Sequence, residues 1–234
     1  LTERNLKQVS INKTIQRIKK ITKYAMGHEW LDKDPFILHK SKAVHTDVIF
    51  LSPEELEMVE TFEFDSDRLN RVKDCFIFCC YTGLAYREMA DLRANHIIKE
   101  YENKDWIKMK RKKTGKLLMI PILPKAESIL KKYNNKNYYF KDGALLPIIS
   151  NQRFNTNLKE IAKIIGINKK LSHHVARKTF ASTVLLFNDV PMEIVSELLG
   201  HSDIKTTQKH YGKIVKKTVS KQVDQLTERM KLKE

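Results

Sequence analysis

The chain has 234 residues, with 44 lysines and arginines against 28 aspartates and glutamates, a net charge of +16 at neutral pH. Hydrophobic residues make up 41%, enough for a packed core, and no apolar run approaches the ~18–20 residues of a helical membrane span, so a soluble, intracellular protein is expected. A pI near 9.6 exceeds what solubility requires and predicts a polyanionic partner, nucleic acid first and an anionic membrane surface second.

Seven glycines and six prolines leave few turns and predict a mainly helical protein. The three cysteines, Cys75, Cys79 and Cys80, crowd into one apolar stretch. They offer no disulfide framework and have no histidine at ligand spacing, so they read as buried thiols rather than metal ligands.

In chain order, Ile11, Ile15, Ile18, Ile21 and Ala25 recur at intervals of three and four, with Lys13, Arg17, Lys19, Lys20 and Lys23 between them. This predicts one basic amphipathic helix from Ser10 to about Gly27. A short element over 30–38 and a polar link over 40–46 follow, which places a domain boundary between 1–47 and 48–234. Ser52-Pro53-Glu54-Glu55 is a helix start: serine caps, proline fits the first helical position and Glu55 reaches back to the cap. Helices are expected over 69–81, closed by Gly83, and over 86–92. Alternation from Trp106 to Ile122, interrupted by Thr114-Gly115, predicts an antiparallel hairpin with Lys110, Arg111, Lys112 and Lys113 at its tip. Helices resume over 125–133, 151–165, 173–187, 191–199, 203–211 and from about Val215. The fold class is therefore mainly α with a small antiparallel β-hairpin, α+β.

Three C-terminal segments carry reactive side chains. In Leu171 to Ser182, His174 and Arg177 lie three apart, so one helical face presents both to a single anion; this interval selects His174 over His173. His201 follows Gly200 between two helices, and Tyr211 sits among positive charges. The order H-x-x-R, L-L-G-H, H-Y-G, with 24 residues from Arg177 to His201 and ten from there to Tyr211, resembles the catalytic end of the tyrosine recombinases, the phage-integrase-like family. TGLAYREMADL (82–92) is similar to that family's first active-site box, and RKKTGK (111–116) to its β-hairpin lysine segment.

The resemblance covers 48–234 and implies a catalytic domain whose C-terminal helix docks on a neighbouring protomer. It also implies that 1–47 is the truncated C-terminal part of a core-binding domain, with the earlier helices absent. Its activity would be that of a bacterial mobile-element integrase: a site-specific recombinase cutting and rejoining double-stranded DNA through a 3′-phosphotyrosyl intermediate. It would act as a homotetramer, in the cytoplasm at the nucleoid, with no metal, cofactor or membrane. Tyr211 is the implied nucleophile, Arg177 and His201 phosphate donors, His174 the manager of the phenolic proton and Lys113 the general acid. Arg17, Lys20, Lys110, Arg111 and Lys112 are expected on DNA backbone. Rival readings are a catalytically degenerate, architectural DNA-binding relative and a type IB topoisomerase-like relaxase.

One position departs from the pattern. The first box usually reads T-G-L-R, but Ala85 stands where the arginine belongs. Arg71, Lys73 or Arg87 is expected to substitute, with a slight preference for Arg71 or Lys73, unless the enzyme works with one donor fewer.

Overall fold

The computed structural model describes residues 6–44, 48–112, 114–135 and 143–212, which fall into two compact units, 1–47 and 48–234. In the first unit, helix α1 (Gln8–Gly27) buries Ile11 and leaves Arg17 and Lys20 exposed. Asn12 Nδ2 donates to Lys42 O at 2.8 Å and Lys19 Nζ to His39 O at 3.2 Å, which fold the following segment onto the helix. The expected element over 30–38 is only a series of turns. Asp34 Oδ1 accepts from Phe36 N at 2.8 Å, the side-chain turn that aspartate offers in place of helix.

The second unit opens with α2 (Pro53–Thr61), and its serine, proline and glutamate act as the sequence predicts. Ser52 Oγ accepts from Glu55 N at 3.2 Å, while Ser52 N donates to Glu55 Oε2 at 2.7 Å. Helix α3 (Asp67–Thr82) is the central rod. Cys75, Phe76, Phe78, Cys79 and Cys80 on it are fully buried, which pushes the Cys79 and Cys80 thiols well above their usual range. Its buried Asp74 accepts from Tyr133 Oη at 2.6 Å and Lys132 Nζ at 2.7 Å, tying it to α5 (Pro124–Asn135). Arg68 grips Glu160 of α6 (Asn151–Ile165) with both terminal nitrogens.

Between α4 (Tyr86–Ala90) and α5 lies a three-stranded antiparallel sheet: β1 (Ile97–Glu100), β2 (Lys104–Lys110) and β3 (Leu117–Pro121), ordered β1-β2-β3. The β2–β3 pair is the expected hairpin. Ile107 faces Ile120 and Met109 faces Leu118 on the buried side, with Lys108 and Lys110 outward. Strand β1 is an addition to the sequence reading. It turns into β2 through Glu102 and Asn103, both with positive φ, so no glycine marks the turn.

The predicted helix over 173–187 is divided into α7 (His173–Thr179), a stretch with π-helical bonding from Phe180 to Leu185, and a 3₁₀ turn from Leu186 to Asn188. Helices α8 (Met192–Leu198) and α9, over 204–212, complete the described residues, among which no helix is long and apolar enough to cross a membrane. The helix expected from Val215, with its docking role, and Lys113 lie outside the described residues. Two apolar clusters pack the unit. The larger surrounds α3 and the smaller joins Phe180, Leu185, Leu199 and Tyr211. Thr179 Oγ1 accepts from Leu51 N at 3.0 Å and the Thr183 hydroxyl donates to Leu51 O, stitching the unit's first segment to its last helices.

Gly83 ends α3 at φ +66°, where a Cβ would stand 2.4 Å from the Phe180 ring, whereas one at Gly166 (φ +82°) would meet open space. Gly83→Ala is therefore expected to lower stability in urea unfolding by about 2–4 kcal/mol. Gly166→Ala should lose only the backbone part, about 1 kcal/mol; equal losses would contradict the steric account.

Candidate active site

Helix α7 buries Val175, Ala176 and Thr179 in the core, and its opposite face presents His174 and Arg177 to a cleft of about 650 Å³. Arg177 is 8% exposed, its Nη1 donating to Gly83 O and its Nη2 to Leu199 O. Those bonds use one hydrogen from each terminal nitrogen and leave the others for a ligand. Burial, aided by the neighbouring Arg111, lowers its pKa to about 10, so it stays charged at neutral pH.

The two adjacent histidines part company here. His173 is buried beside Phe154 and Tyr86, at ring distances of 5.9 and 5.8 Å, with its backbone N–H donating to Asn155 Oδ1 at 2.9 Å. His174 is exposed along the cleft, one turn from Arg177.

A second wall comes from the α8–α9 corner. Gly200 takes φ +59°, and a Cβ there would stand 2.5 Å from Leu118 of β3, so glycine lets the corner touch the sheet. His201 follows, its Nδ1 2.8 Å from Thr207 Oγ1 on α9 and its carbonyl accepting from Lys116 Nζ at 3.0 Å. Tyr211 of α9 also lines the cleft but is 5% exposed, packed in the smaller cluster. Loss of hydration raises its phenol to about 12, against a smaller pull downward from Arg177.

The third wall joins the first box to the hairpin. Ala85, Arg87 and Glu88 line it, with Arg111 and Lys112 opposite. Arg87 is exposed, and Lys112 Nζ pairs with Asp91 at 2.9 Å. Glu88 is 2% exposed; its Oε2 accepts from Ala85 N at 2.6 Å and its Oε1 lies 3.6 Å from Arg111 Nε.

Two expected substitutes for the missing arginine are placed elsewhere. Lys73 Nζ donates to Phe62 O at 2.6 Å and Glu63 at 2.9 Å, so that expectation is corrected: a buried ammonium satisfied at the α2–α3 link is not available to the cleft. Arg71, on the same helix, is not among the cleft's lining residues. Lys110 is exposed at the end of β2, outside the lining, and Arg17 and Lys20 belong to the first unit. Sequence reasoning missed Glu88, Thr207 and the inward course of Arg111. Only Glu88 carries a local signal, a glutamate three residues after a helix cap.

Comparison with known proteins follows the same lines. Residues 50–217 match the phage integrase family. The chain is 25% identical over 228 residues to the tyrosine recombinase XerD of Rickettsia prowazekii, covering 89% of this chain and 73% of that protein. It is 28% identical to XerC of Thermodesulfovibrio yellowstonii over 65% of this chain, and spans 53% of that relative's length. Among solved structures, the Tn1549 transposon integrase in complex with a circular intermediate DNA superposes with a TM-score of 0.71 at 16% identity, over 90% of this chain and 77% of that one. The XerH site-specific recombinase bound to a palindromic difH substrate gives 0.58 at 19% identity, over 74% and 52%.

The cleft's histidines give the protein an acid-sensitive interior. Burial first, then repulsion from His174 when it carries a proton and from Arg177, push His173 down to about 3, against an ordinary value near 6.5. Between those limits the unfolded chain binds a proton that the folded one refuses, so stability is complete above about pH 6.5 and falls as pH drops toward 3. The loss for this one group is of the order of a few kcal/mol. Melting temperature measured from pH 7 to 4 should fall steeply in the wild type and more gently in His173→Phe, which fills the same aromatic pocket without titrating. Identical slopes would assign the acid sensitivity elsewhere.

Proposed function

The chain belongs to the phage integrase family, and on that premise we propose that its cleft cuts and rejoins one strand of a DNA duplex at a specific site, using Tyr211 as the nucleophile. The supporting observation is the convergence of His174 and Arg177 from α7, His201 from the α8–α9 corner and Tyr211 from α9 on one cationic cleft.

A phosphodiester gains negative charge on its non-bridging oxygens as it is attacked, so fixed cationic donors in a partly dry site stabilise the transition state more than the ground state. Arg177 is built for this: its carbonyl partners hold the fork still and leave N–H groups free for two oxygens. His201 is pushed down to about 4 by partial burial and by Arg177, and is therefore neutral at physiological pH. In the tautomer in which the Thr207 hydroxyl donates to Nδ1, 2.8 Å away, the ring proton sits on Nε2 and is available to a phosphate oxygen.

Tyr211 forms a bond from its phenolic oxygen to phosphorus while the bond to the departing 5′-oxygen breaks. A phenol raised to about 12 does not ionise unaided, so its proton passes to His174, the exposed base lining the same cleft. Lys113 returns a proton to the 5′-oxygen. The phosphotyrosyl ester keeps the energy of the broken bond, so a second 5′-hydroxyl reverses the step and restores the duplex without nucleotide hydrolysis.

Exchange between two duplexes calls for four copies of the chain, one per cut strand end, and we read the protein as a homotetramer on DNA that works at the bacterial nucleoid. Residues 1–47 serve as part of a core-binding domain, with Arg17 and Lys20 on phosphates, and Lys110 and Lys112 add contacts from the hairpin. The XerD and XerC relatives support the recombinase reading, and we read the chain as the integrase of a bacterial mobile element.

On a nicked duplex carrying the recombination site, the wild type should form an adduct that survives denaturation, and Tyr211→Phe should form none while still shifting the duplex. Arg177→Ala should slow adduct formation by about 10²–10³-fold. Retention of DNA by both proteins with no adduct from either would leave a binding protein, and relaxation of supercoils without exchange between linear duplexes would leave a relaxase.

A further inference from the structure

The place emptied by Ala85 is adjoined by a different arginine. We infer that Arg111, at the base of the β2–β3 hairpin, is the second phosphate-binding guanidinium of the cleft and a catalytic residue in the reaction proposed above, on which this inference rests.

The backbone sets its position. Arg111 N donates to Lys116 O and Gly115 N donates to Arg111 O, both at 2.8 Å, closing the hairpin at this residue. From there the side chain turns inward rather than toward the hairpin tip. It is 15% exposed, and its Nη1 donates to Gly200 O at 2.7 Å. At Gly200 a Cβ would be in ordinary contact with Arg111 Cδ at 3.6 Å but would clash with Leu118 at 2.5 Å, so glycine is what lets the corner and the hairpin that carries Arg111 meet.

Glu88 links this guanidinium to the vacated position. One carboxylate oxygen holds the backbone N–H of Ala85 and the other faces Arg111 Nε at 3.6 Å, which places the Arg111 guanidinium one carboxylate away from Ala85. A residue two positions from Ala85 in sequence, Arg87, also lines the cleft, but it is exposed and has water as a competing ligand.

Two further observations point to an anion. Arg111 Nε is buried with no hydrogen-bond acceptor, because 3.6 Å to Glu88 is an ion pair but too long for a hydrogen bond. Arg111 is also close enough to lower the pKa of Arg177 and to help keep His201 neutral, so two guanidiniums converge on one low-dielectric cleft with Glu88 as the buried counter-charge. A phosphodiester supplies both the acceptor that Nε lacks and the charge that relieves the repulsion. The hairpin thereby delivers the guanidinium that the first box does not.

The test uses the whole chain and the duplex on which the wild type forms its Tyr211 adduct, with the scissile position mapped from that adduct. Arg111→Ala should slow adduct formation about 10²–10³-fold, and Arg111→Lys should recover part of that rate. Replacing the scissile phosphate by a neutral methylphosphonate removes the charge that Arg111 binds, so the deficit of Arg111→Ala should shrink at least tenfold on that substrate. A residue that merely shaped the hairpin would show no such rescue. An Arg111→Ala enzyme of wild-type rate, an equal deficit on both substrates, or the same loss and rescue in Arg87→Ala would overturn the inference.

Absence of any wild-type adduct would sink the recombinase reading instead. A second measurement then still decides: titration of the chain with inorganic phosphate, followed by NMR of arginine Nε–H groups, should move the Arg111 signal downfield. A fixed Arg111 signal while that of Arg87 or Arg177 moves would overturn it.

Discussion

The buried guanidinium of Arg177 is the constraint around which the catalytic unit is arranged. It ties three segments that are far apart in the chain: its own helix α7, the end of α3 through Gly83 O, and the end of α8 through Leu199 O. A guanidinium so far removed from water is tolerated only if its hydrogens find acceptors, and backbone carbonyls at two helix ends, where intrahelical partners run out, supply them. The same contacts that stabilise the buried charge therefore also hold the helix ends that shape the cleft.

Close backbone approaches follow from that arrangement. Gly83 and Gly200 both take left-handed φ, and both have a neighbour where a Cβ would go, Phe180 at one and Leu118 at the other. The first lets α3 end against the π-helical stretch after α7, and the second lets the α8–α9 corner rest on the sheet. His201 and Arg111 are consequently brought to one cleft by two elements that would otherwise be held apart by a side chain. Thr179 and Thr183, bonded to Leu51, fix the far side of the same helical stretch.

Electrostatics then divides the net charge into distinct uses. Arg177 is buried and Arg111 partly buried, held by carbonyls and by Glu88, and both act at short range in a site of low dielectric. Arg87, Lys110, Arg17 and Lys20 are exposed and contribute long-range attraction that salt screens. Lys73, although buried, is spent on a structural bond to Phe62 and Glu63. Equal formal charges thus have unequal consequences, decided by burial and by what each already bonds.

Much of this was legible in the residues alone. The capping box at Ser52, the hairpin pattern from Trp106, the glycine stop at Gly83 and the H-x-x-R interval depend on neighbours within a few positions, where helical and strand periods act directly. The ordered set His174, Arg177, His201 and Tyr211 was readable because motif order survives in one dimension. Strand β1 escaped because its turn uses Glu102 and Asn103 in place of glycine, and the break after Thr179 because a π-helical stretch has no local signature. Residues near Ala85 in sequence, on α3 and α4, are the local candidates for a cation there, whereas Arg111 reaches the cleft from a hairpin 26 positions away. Local sequence settled most of the elements and which reactive groups exist. Only the tertiary structure decided which charges share a cleft, because that depends on where glycine permits close approach and which carbonyls remain to accept a buried guanidinium.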